Sequence, residues 1–506
     1  MKSHVVLVNP AFMLKDGTVI GTIAQRDFPL GLGLLATILI DNGYTAEIIN
    51  ANAHSDWRRR TLAALAREDI AFVGFSCMSS QAYSAIGLAK AIKAQFPSVP
   101  VVFGGVHPTL MPESIARSPS IDYCVVGEGD AVVLPFMNYL NDKIPLDQVP
   151  NICRSNEDGS VTTTSRAALS TFDSLPDHLD ETLYSHDIER YVLDRTIDGE
   201  ELRGFSILTG LGCNYRCSFC INSITKRKYR CMPAHSIVKQ MKWLKERYGI
   251  RFFNFQEEHF FGDKARLYAL LELIEKDPDL FGQIAWNATI RVSDIRDGFV
   301  DVELLKRLKA AGGNDFGVGG ESGSDRMLKA LHKGILRKDI IRAVKFCNEA
   351  QVTLSFSFVM LWPGETFEDR VETARLIHEM YEMGPYARVP FFQTYRPYPG
   401  SLWESDLSRF EDPESIPDDT WRFQAIEKIK DLPIKNASMT YRLVNSTQVL
   451  CICGATRHVK RGALMLRSHL AHAIYEVCSW RIRSSNFRFY FEEPLLSFIR
   501  SRFAQY

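Results

Sequence analysis

The stretch LGCNYRCSFCIN (211–222) places Cys213, Cys217 and Cys220 within eight residues. Polar neighbours at Asn214, Arg216 and Ser218 argue against three cysteines that merely pack. A structural zinc takes four ligands, so Cys231 or a distant histidine would have to complete its shell. A [4Fe–4S] cube suits three cysteines better. Three thiolates hold three irons and leave the fourth open, as a catalytic zinc keeps one position free. The cluster therefore ranks ahead of zinc, and zinc ahead of packing.

The loop follows an apolar strand at 205–209, the first of six, with others at 252–256, 284–290, 315–319, 353–360 and 388–395. Helical patterns at 234–248, 264–275, 302–311, 339–350 and 367–383 follow most of them. Six βα units predict a partial, open-sided (β/α)6 barrel, with the cysteines where βα-barrel catalytic loops sit. Upstream, strands at 4–9, 45–50, 70–77, 99–103 and 121–126 alternate with helices at 30–42, 57–67, 82–96, 111–118 and 131–141. Continuous apolar strands between helices predict a doubly wound, Rossmann-like parallel sheet. Such sheets bind ligands beyond the carboxyl ends of their strands. Those ends carry Asn9-Pro10, Ser76, Gly104-Gly105 and Gly127-Glu128-Gly129. The irregular segment 151–200 reads as a connector. From about 413 to 506 the pattern is mainly helical and rich in arginine and aromatics.

Composition excludes several roles. Lys+Arg and Asp+Glu are both 60, so bulk charge offers nothing to a nucleic acid. No apolar run reaches the ~18 residues of a membrane span; GLGLLATILI (31–40) is half that length. MKSHVVLVNPAF lacks the core of a signal peptide, and the eleven cysteines are odd in number with several inside apolar strands. Both point to a reducing cytoplasm and buried thiols. In the tail, Cys451 and Cys453 form a CxC for which packing is favoured over a second metal. Arg481, Arg483, Arg488, Arg500 and Arg502 accompany Trp480, Phe487, Tyr490 and Phe498. That mixture suits a solvated helix with a buried stripe, or else peripheral contact with membrane lipid or a hydrophobic anion.

CNYRCSFC (213–220), with Phe219 before the last cysteine, resembles the cluster loop of radical S-adenosylmethionine (SAM) enzymes. The resemblance continues through KRKYRCMPAHSIVKQMKWLKERYGIRFFNFQEEHF (226–260), FGVGGESGSD (316–325), FVMLWPGET (358–366) and YRPYPGSLW (395–403). It implies that Cys213, Cys217 and Cys220 hold the cluster and that SAM takes the open iron. It also implies SAM contacts at Phe219, Glu257, Glu258, Glu321 and Ser322. Acids at strand ends can accept hydrogen bonds from an ammonium and ribose hydroxyls; the plainer reading pairs them with Arg291 or Arg230. Two departures stand out: Glu257-Glu258 replaces the family's Asp-Asp, and Leu211 replaces an arginine.

The N-terminal sheet is similar to the cobalamin-binding domains of the cobalamin-dependent (class B) radical SAM enzymes. PLGLGLLATILIDNGY (29–44), GFSCMSS (74–80), FGGVHPTLMPE (103–113) and DYCVVGEGD (122–130) carry the likeness. It implies cobalamin contacts at Ser76, Gly104, Gly105, His107, Gly127 and Glu128. Residues 9–33 contain no histidine, so no Asp-x-His-x-x-Gly segment supplies a lower cobalt ligand. His107, in a turn at another strand end, reads as a structural or corrin-edge residue. A nucleotide module is the alternative, but no Gly-x-Gly-x-x-Gly follows the first strand.

The resemblance thus implies a cobalamin-binding domain at 1–150, a connector at 151–200, a radical SAM core at 201–412 and a helical region at 413–506. It implies a C-methyltransferase acting on a small molecule held between the domains. Cobalt takes methyl from one SAM, and a second SAM yields the 5′-deoxyadenosyl radical. A low-potential donor, flavodoxin or ferredoxin, reduces the cluster. Oxidative cyclisation or ring rearrangement without net methyl transfer is the alternative within the family. A non-catalytic cobalamin sensor or carrier with a structural zinc is the alternative outside it.

Overall fold

The first strand shows why the N-terminal region folds as it does. In β1 (His4–Asn9), Val6 and Val8 face one side, Val5 and Leu7 the other, and all four are buried. Side chains alternate along a strand, so a strand covered on both faces reads as an unbroken apolar run. The elements around it are α1 (Leu30–Asp41), β2 (Thr45–Asn50), α2 (Trp57–Ala64), β3 (Ile70–Ser76), α3 (Ala82–Gln95), β4 (Val101–Gly104), α4 (Val106–Leu110), α5 (Pro112–Ala116), β5 (Tyr123–Val125) and α6 (Asp130–Leu140). Strands β2-β1-β3-β4-β5 lie parallel in that order. Helices α1 and α6 cover the Val5 face, where Phe72 meets Phe136 at 5.4 Å. Helices α2, α3 and α5 cover the Val6 face, where Phe75 meets Phe103 at 4.8 Å.

This computed structural model describes residues 2–13, 27–396, 398–403, 437–457 and 465–487. Two compact units emerge from its packing. One is Met1–Asn214, Ile221–Gln256 and Tyr398–Trp421; the other is Tyr215–Cys220, Glu257–Pro397 and Arg422–Tyr506. In the first unit the sheet runs on through β6 (Ile152–Ser155) and β7 (Val161–Thr163), both antiparallel. The expectation of an irregular connector at 151–200 misses these strands. They are four and three residues long and flank a polar turn, too short for the pattern of alternation to register.

A small hairpin, β8 (Arg195–Ile197) with β9 (Glu200–Leu202), precedes the second series. That series contributes six strands in chain order: β10 (Gly204–Leu208), β13 (Phe252–Gln256), β14 (Ala285–Ile290), β15 (Gly313–Glu321), β16 (Thr353–Met360) and β17 (Ala387–Thr394). Between β10 and β13 lie β11 (Gly210–Leu211), α7 (Ile221–Thr225), β12 (Arg230–Cys231) and α8 (Ala234–Tyr248). Helices α9 (Lys264–Lys276), α10 (Val302–Ala310), α11 (Asp325–Ala330), α12 (Arg337–Ala350) and α13 (Phe367–Met383) separate the later strands. This is the expected open (β/α)6 arrangement. Trp286 of β14 is fully buried between Phe260 and Phe316, and its indole N–H donates to the Ala311 carbonyl at 2.9 Å. The α13 start is fixed by a capping box: Asp369 accepts from the Thr366 N–H at 2.8 Å, and Thr366 Oγ1 accepts from the Asp369 N–H at 3.3 Å.

The described C-terminal region consists of α14 (Ala437–Arg457) and α15 (Met465–Ser484), packed on α13. The Tyr475 hydroxyl donates to Glu382 at 2.9 Å, and Ser479 Oγ meets His378 Nε2 at 2.6 Å. Cys451 and Cys453 are both buried, and burial pushes the Cys453 thiol up to about 12. Arg481 is buried and donates to the Asn486 carbonyl at 2.8 Å, and Phe487 is fully buried. These two residues of the basic-aromatic stretch therefore pack rather than face lipid, whereas Trp480 is 48% exposed. Arg488, Tyr490, Phe498, Arg500 and Arg502 lie outside the described residues. Among the described residues, no helix is long and apolar enough to cross a membrane.

Candidate functional site

In the first unit a cavity of about 740 Å³ opens at the carboxyl ends of the parallel strands. Ser76 ends β3, Gly104 ends β4, and the two are register partners. Both line the cavity, as do Gly105, Gly127 and Glu128. Gly105 has φ +97°, and a Cβ there would sit 2.8 Å from the Cys77 amide nitrogen. Only glycine lets the chain turn so closely at this point. His107 is not part of the lining. It is fully buried one helical turn further on, with Nδ1 3.0 Å from Ser79 Oγ. Burial lowers its pKa to about 4, so it stays neutral and braces the turn.

Glu128 does two things. Its Oε1 accepts from Arg227 Nε at 3.0 Å and Arg230 Nη2 at 2.5 Å. Burial works to raise this carboxyl, but the two guanidiniums overcome it and the net shift is downward. Its Oε2 and the Asp130 Oδ2 are buried with no hydrogen-bond partner among the described residues. Such orphaned acceptors are costly unless a ligand donor reaches them. A large cavity with a glycine rim and waiting acceptors fits a ligand edged with amide N–H groups, as cobalamin is. Leu211, Ile221, Ile224, Thr225 and Arg227 also line the cavity. Cys213 belongs to this unit, just past Gly212, where φ +77° and the nearby Lys228 carbonyl exclude any Cβ.

The second unit holds the rest of the loop. Cys217 is buried and Cys220 half-buried. The Ser218 N–H donates to the Leu331 carbonyl at 3.0 Å, and the Cys220 N–H to the Cys217 carbonyl at 3.1 Å, which tightens the turn. Phe219 packs on Trp362 with ring centres 5.1 Å apart. Arg291, just past β14, aims Nη1 at Cys217 Sγ at 3.5 Å and stacks 3.5 Å from the Tyr215 ring centre. Tyr215 also meets His259 edge-on, and His259 Nε2 lies 2.7 Å from Asp294 Oδ2. A cation facing the Cys217 sulfur fits the negative charge of a thiolate, the form in which cysteine holds an iron–sulfur cluster. Among the described residues no three His, Cys, Asp or Glu converge as a single metal ion requires; a cube places its three thiolates on separate irons.

The acids behave differently from one another. Glu257 is buried and paired twice with Arg266, at 2.9 and 3.1 Å. Glu321 ends β15 with φ +62° and accepts from Lys333 Nζ at 2.6 Å. That left-handed backbone is uncommon for a non-glycine residue and costs roughly 1–3 kcal/mol. Ser322 is buried against Thr373 Oγ1 at 3.2 Å. Glu258 is the exposed member of the set. Sequence reasoning missed Arg291 as a neighbour of the cysteines, together with the His259–Asp294 pair and Lys333. Only the 3.6- and 2-residue periodicities are visible in a sequence, and these contacts join different strand ends.

Comparison with known proteins now gives the class. Residues 207–377 match the Radical SAM superfamily, and residues 17–134 match the B12 binding domain. The chain thus carries a radical SAM domain and a B12-binding domain, which imply a [4Fe–4S] cluster, SAM and cobalamin as its cofactors. Radical SAM enzymes act on small molecules and need a reductant. An uncharacterized methyltransferase of Pyrococcus horikoshii is 27% identical over 79% of this chain and 82% of its own length. The cytidylyl-2-hydroxyethylphosphonate methyltransferase of Streptomyces wedmorensis is 24% identical over 81% and 83%. The anaerobic magnesium-protoporphyrin IX monomethyl ester cyclase of Rubrivivax gelatinosus is 24% identical over 79% and 72%. The solved structure of OxsB, a cobalamin-dependent SAM radical enzyme with aqua-cobalamin and SAM bound, gives a TM-score of 0.67. It covers 99% of this chain and 75% of that one at 17% identity, a likeness of fold.

Proposed function

We propose that this enzyme methylates an unactivated carbon of a small-molecule substrate. When bound, SAM at the cluster supplies a 5′-deoxyadenosyl radical and cobalamin carries the methyl group. Cys213, Cys217 and Cys220 hold the cluster, and Phe219 with Trp362 walls it on one side. Glu258, exposed beside the buried Glu257–Arg266 pair, contacts SAM. Ser322 keeps the β15 end in place. Ser76, Gly104, Gly105 and Gly127 let the ligand approach the backbone closely. Glu128 and Asp130 accept hydrogen bonds from its edge, and His107 stiffens the turn behind them. A flavodoxin or ferredoxin delivers the electron.

The observation that carries this reading is the cavity. A chain that only cleaved SAM would have no use for about 740 Å³ of glycine-rimmed space with two orphaned acceptors. Relatives named as methyltransferases align over 79% and 81% of this chain. The cyclase relative, over 79%, favours the second reading of ring formation. The two separate without knowledge of the substrate. Reduced, cobalamin-loaded enzyme is given methyl-labelled SAM. Methyl transfer predicts S-adenosylhomocysteine and labelled methylcobalamin in equal amounts. Neither product, with 5′-deoxyadenosine still formed, supports ring formation.

A further inference from the structure

Arg291 is 9% exposed, and among the described residues its guanidinium meets no carboxylate. Nε lies 3.4 Å from Ser293 Oγ, Nη2 donates to the Lys333 carbonyl at 2.6 Å, and Nη1 faces Cys217 Sγ at 3.5 Å. The nearby acids are engaged elsewhere. Asp294 Oδ2 serves His259 and the backbone N–H of Arg291, while Glu321 serves Lys333. A buried cation without a countercharge is strongly unfavourable. Among the described residues, the one contacting group that can carry negative charge is the sulfur of Cys217. The guanidinium is also fixed in place, anchored by a carbonyl at one edge and stacked on Tyr215.

We propose that Arg291 is a positioning residue that sets the reduction potential of the cluster held through Cys217. The proposal rests on the cluster assignment to Cys213, Cys217 and Cys220. Reduction adds one electron from a low-potential donor, and no bond forms or breaks. The cluster then carries one more negative charge, which a fixed cation against a ligand sulfur stabilises more in the reduced than in the oxidised form. Arg291 therefore makes the cluster easier to reduce. The paired cations Lys333 and Arg266 contribute less, because Glu321 and Glu257 already neutralise them.

The test uses the full chain, reconstituted anaerobically, without SAM or substrate. Dithionite reduction is followed by electron paramagnetic resonance, and iron is counted. Wild-type protein with about four irons and a reducible signal supports the cluster assignment; its absence overturns that assignment whatever Arg291 does. Arg291→Gln is expected to retain iron and to shift the equilibrium about tenfold toward the oxidised cluster, ~59 mV lower for one electron. Arg291→Lys keeps the charge and is expected to shift less in the same direction. Full iron with an unchanged potential in Arg291→Gln overturns the proposal. Should Arg291→Gln lose iron, the neutral Arg291→Met decides: a downward shift supports the proposal, and a wild-type potential overturns it. A merely structural role would change iron content and leave the potential alone.

Discussion

The surroundings of the cysteine loop and the cavity of the sheet solve opposite problems. Charged groups crowd Tyr215–Cys220: Arg291 faces Cys217, the His259–Asp294 pair meets Tyr215, and the Lys333–Glu321 pair lies by Phe219. The cavity beyond β3, β4 and β5 is roomy, its rim made of Ser76, Gly104, Gly105 and Gly127. A small, charged inorganic centre needs fixed countercharges. A large amide-edged ligand needs space and close backbone approach. The first kind of site should fail when one atom type is removed, the second when volume is added.

Cys217→Ala should have the largest effect. 5′-Deoxyadenosine formation should drop to background and iron content should fall. Retained cleavage with full iron would sink the cluster assignment. Gly104→Leu comes next. Its Cβ would stand 3.6 Å from Val125 Cβ, an ordinary contact, so the fold tolerates it while the side chain fills cavity space. Hydroxocobalamin retained after desalting should fall at least about tenfold, ~1.4 kcal/mol, with the denaturation midpoint little moved. Equal retention would detach the cavity from cobalamin.

The adjacent acids Glu257 and Glu258 give a smaller contrast. Glu257→Gln strands the buried Arg266 charge and should cost about 3–5 kcal/mol of stability. Glu258→Gln, on the exposed neighbour, should stay within about 0.5 kcal/mol while weakening SAM binding. Reversed results in urea unfolding would exchange their roles. The mildest effect at neutral pH is expected at His107. Its folded pKa of about 4 lies below the ordinary 6.5. The unfolded chain therefore binds the extra proton first, and the contribution is full above about 6.5 and lost as pH falls toward 4. His107→Asn should flatten the acid limb of the stability–pH curve across that window. An unchanged limb would place the responsible group elsewhere.

Much of this was legible in the sequence because periodicity and spacing are local. The strand runs at 4–9, 45–50, 252–256 and 353–360 coincide with β1, β2, β13 and β16. Helices α8 and α13 begin and end where the pattern places them, α8 stopping at Gly249 with φ +68°. The three cysteines and the glycine turns declare themselves by residue type. What escaped is pairing. Glu257 and Glu321 look like available ligands until Arg266 and Lys333 are seen beside them. Arg291 lies 74 residues from Cys217, and no one-dimensional pattern links the two. Strands β6 and β7 escaped for want of length.

The wall of the cavity has a consequence for modularity. The sequence match to the B12 binding domain ends at residue 134, yet Ile221, Ile224, Arg227 and Gly400 complete the enclosure. Glu128 clasps Arg227 and Arg230, in the segment that follows the cysteines. The cavity is thus not a cassette. Grafting 1–150 onto another barrel would transplant only part of the lining, and a functional chimera would have to carry 208–231 and 399–400 along with it.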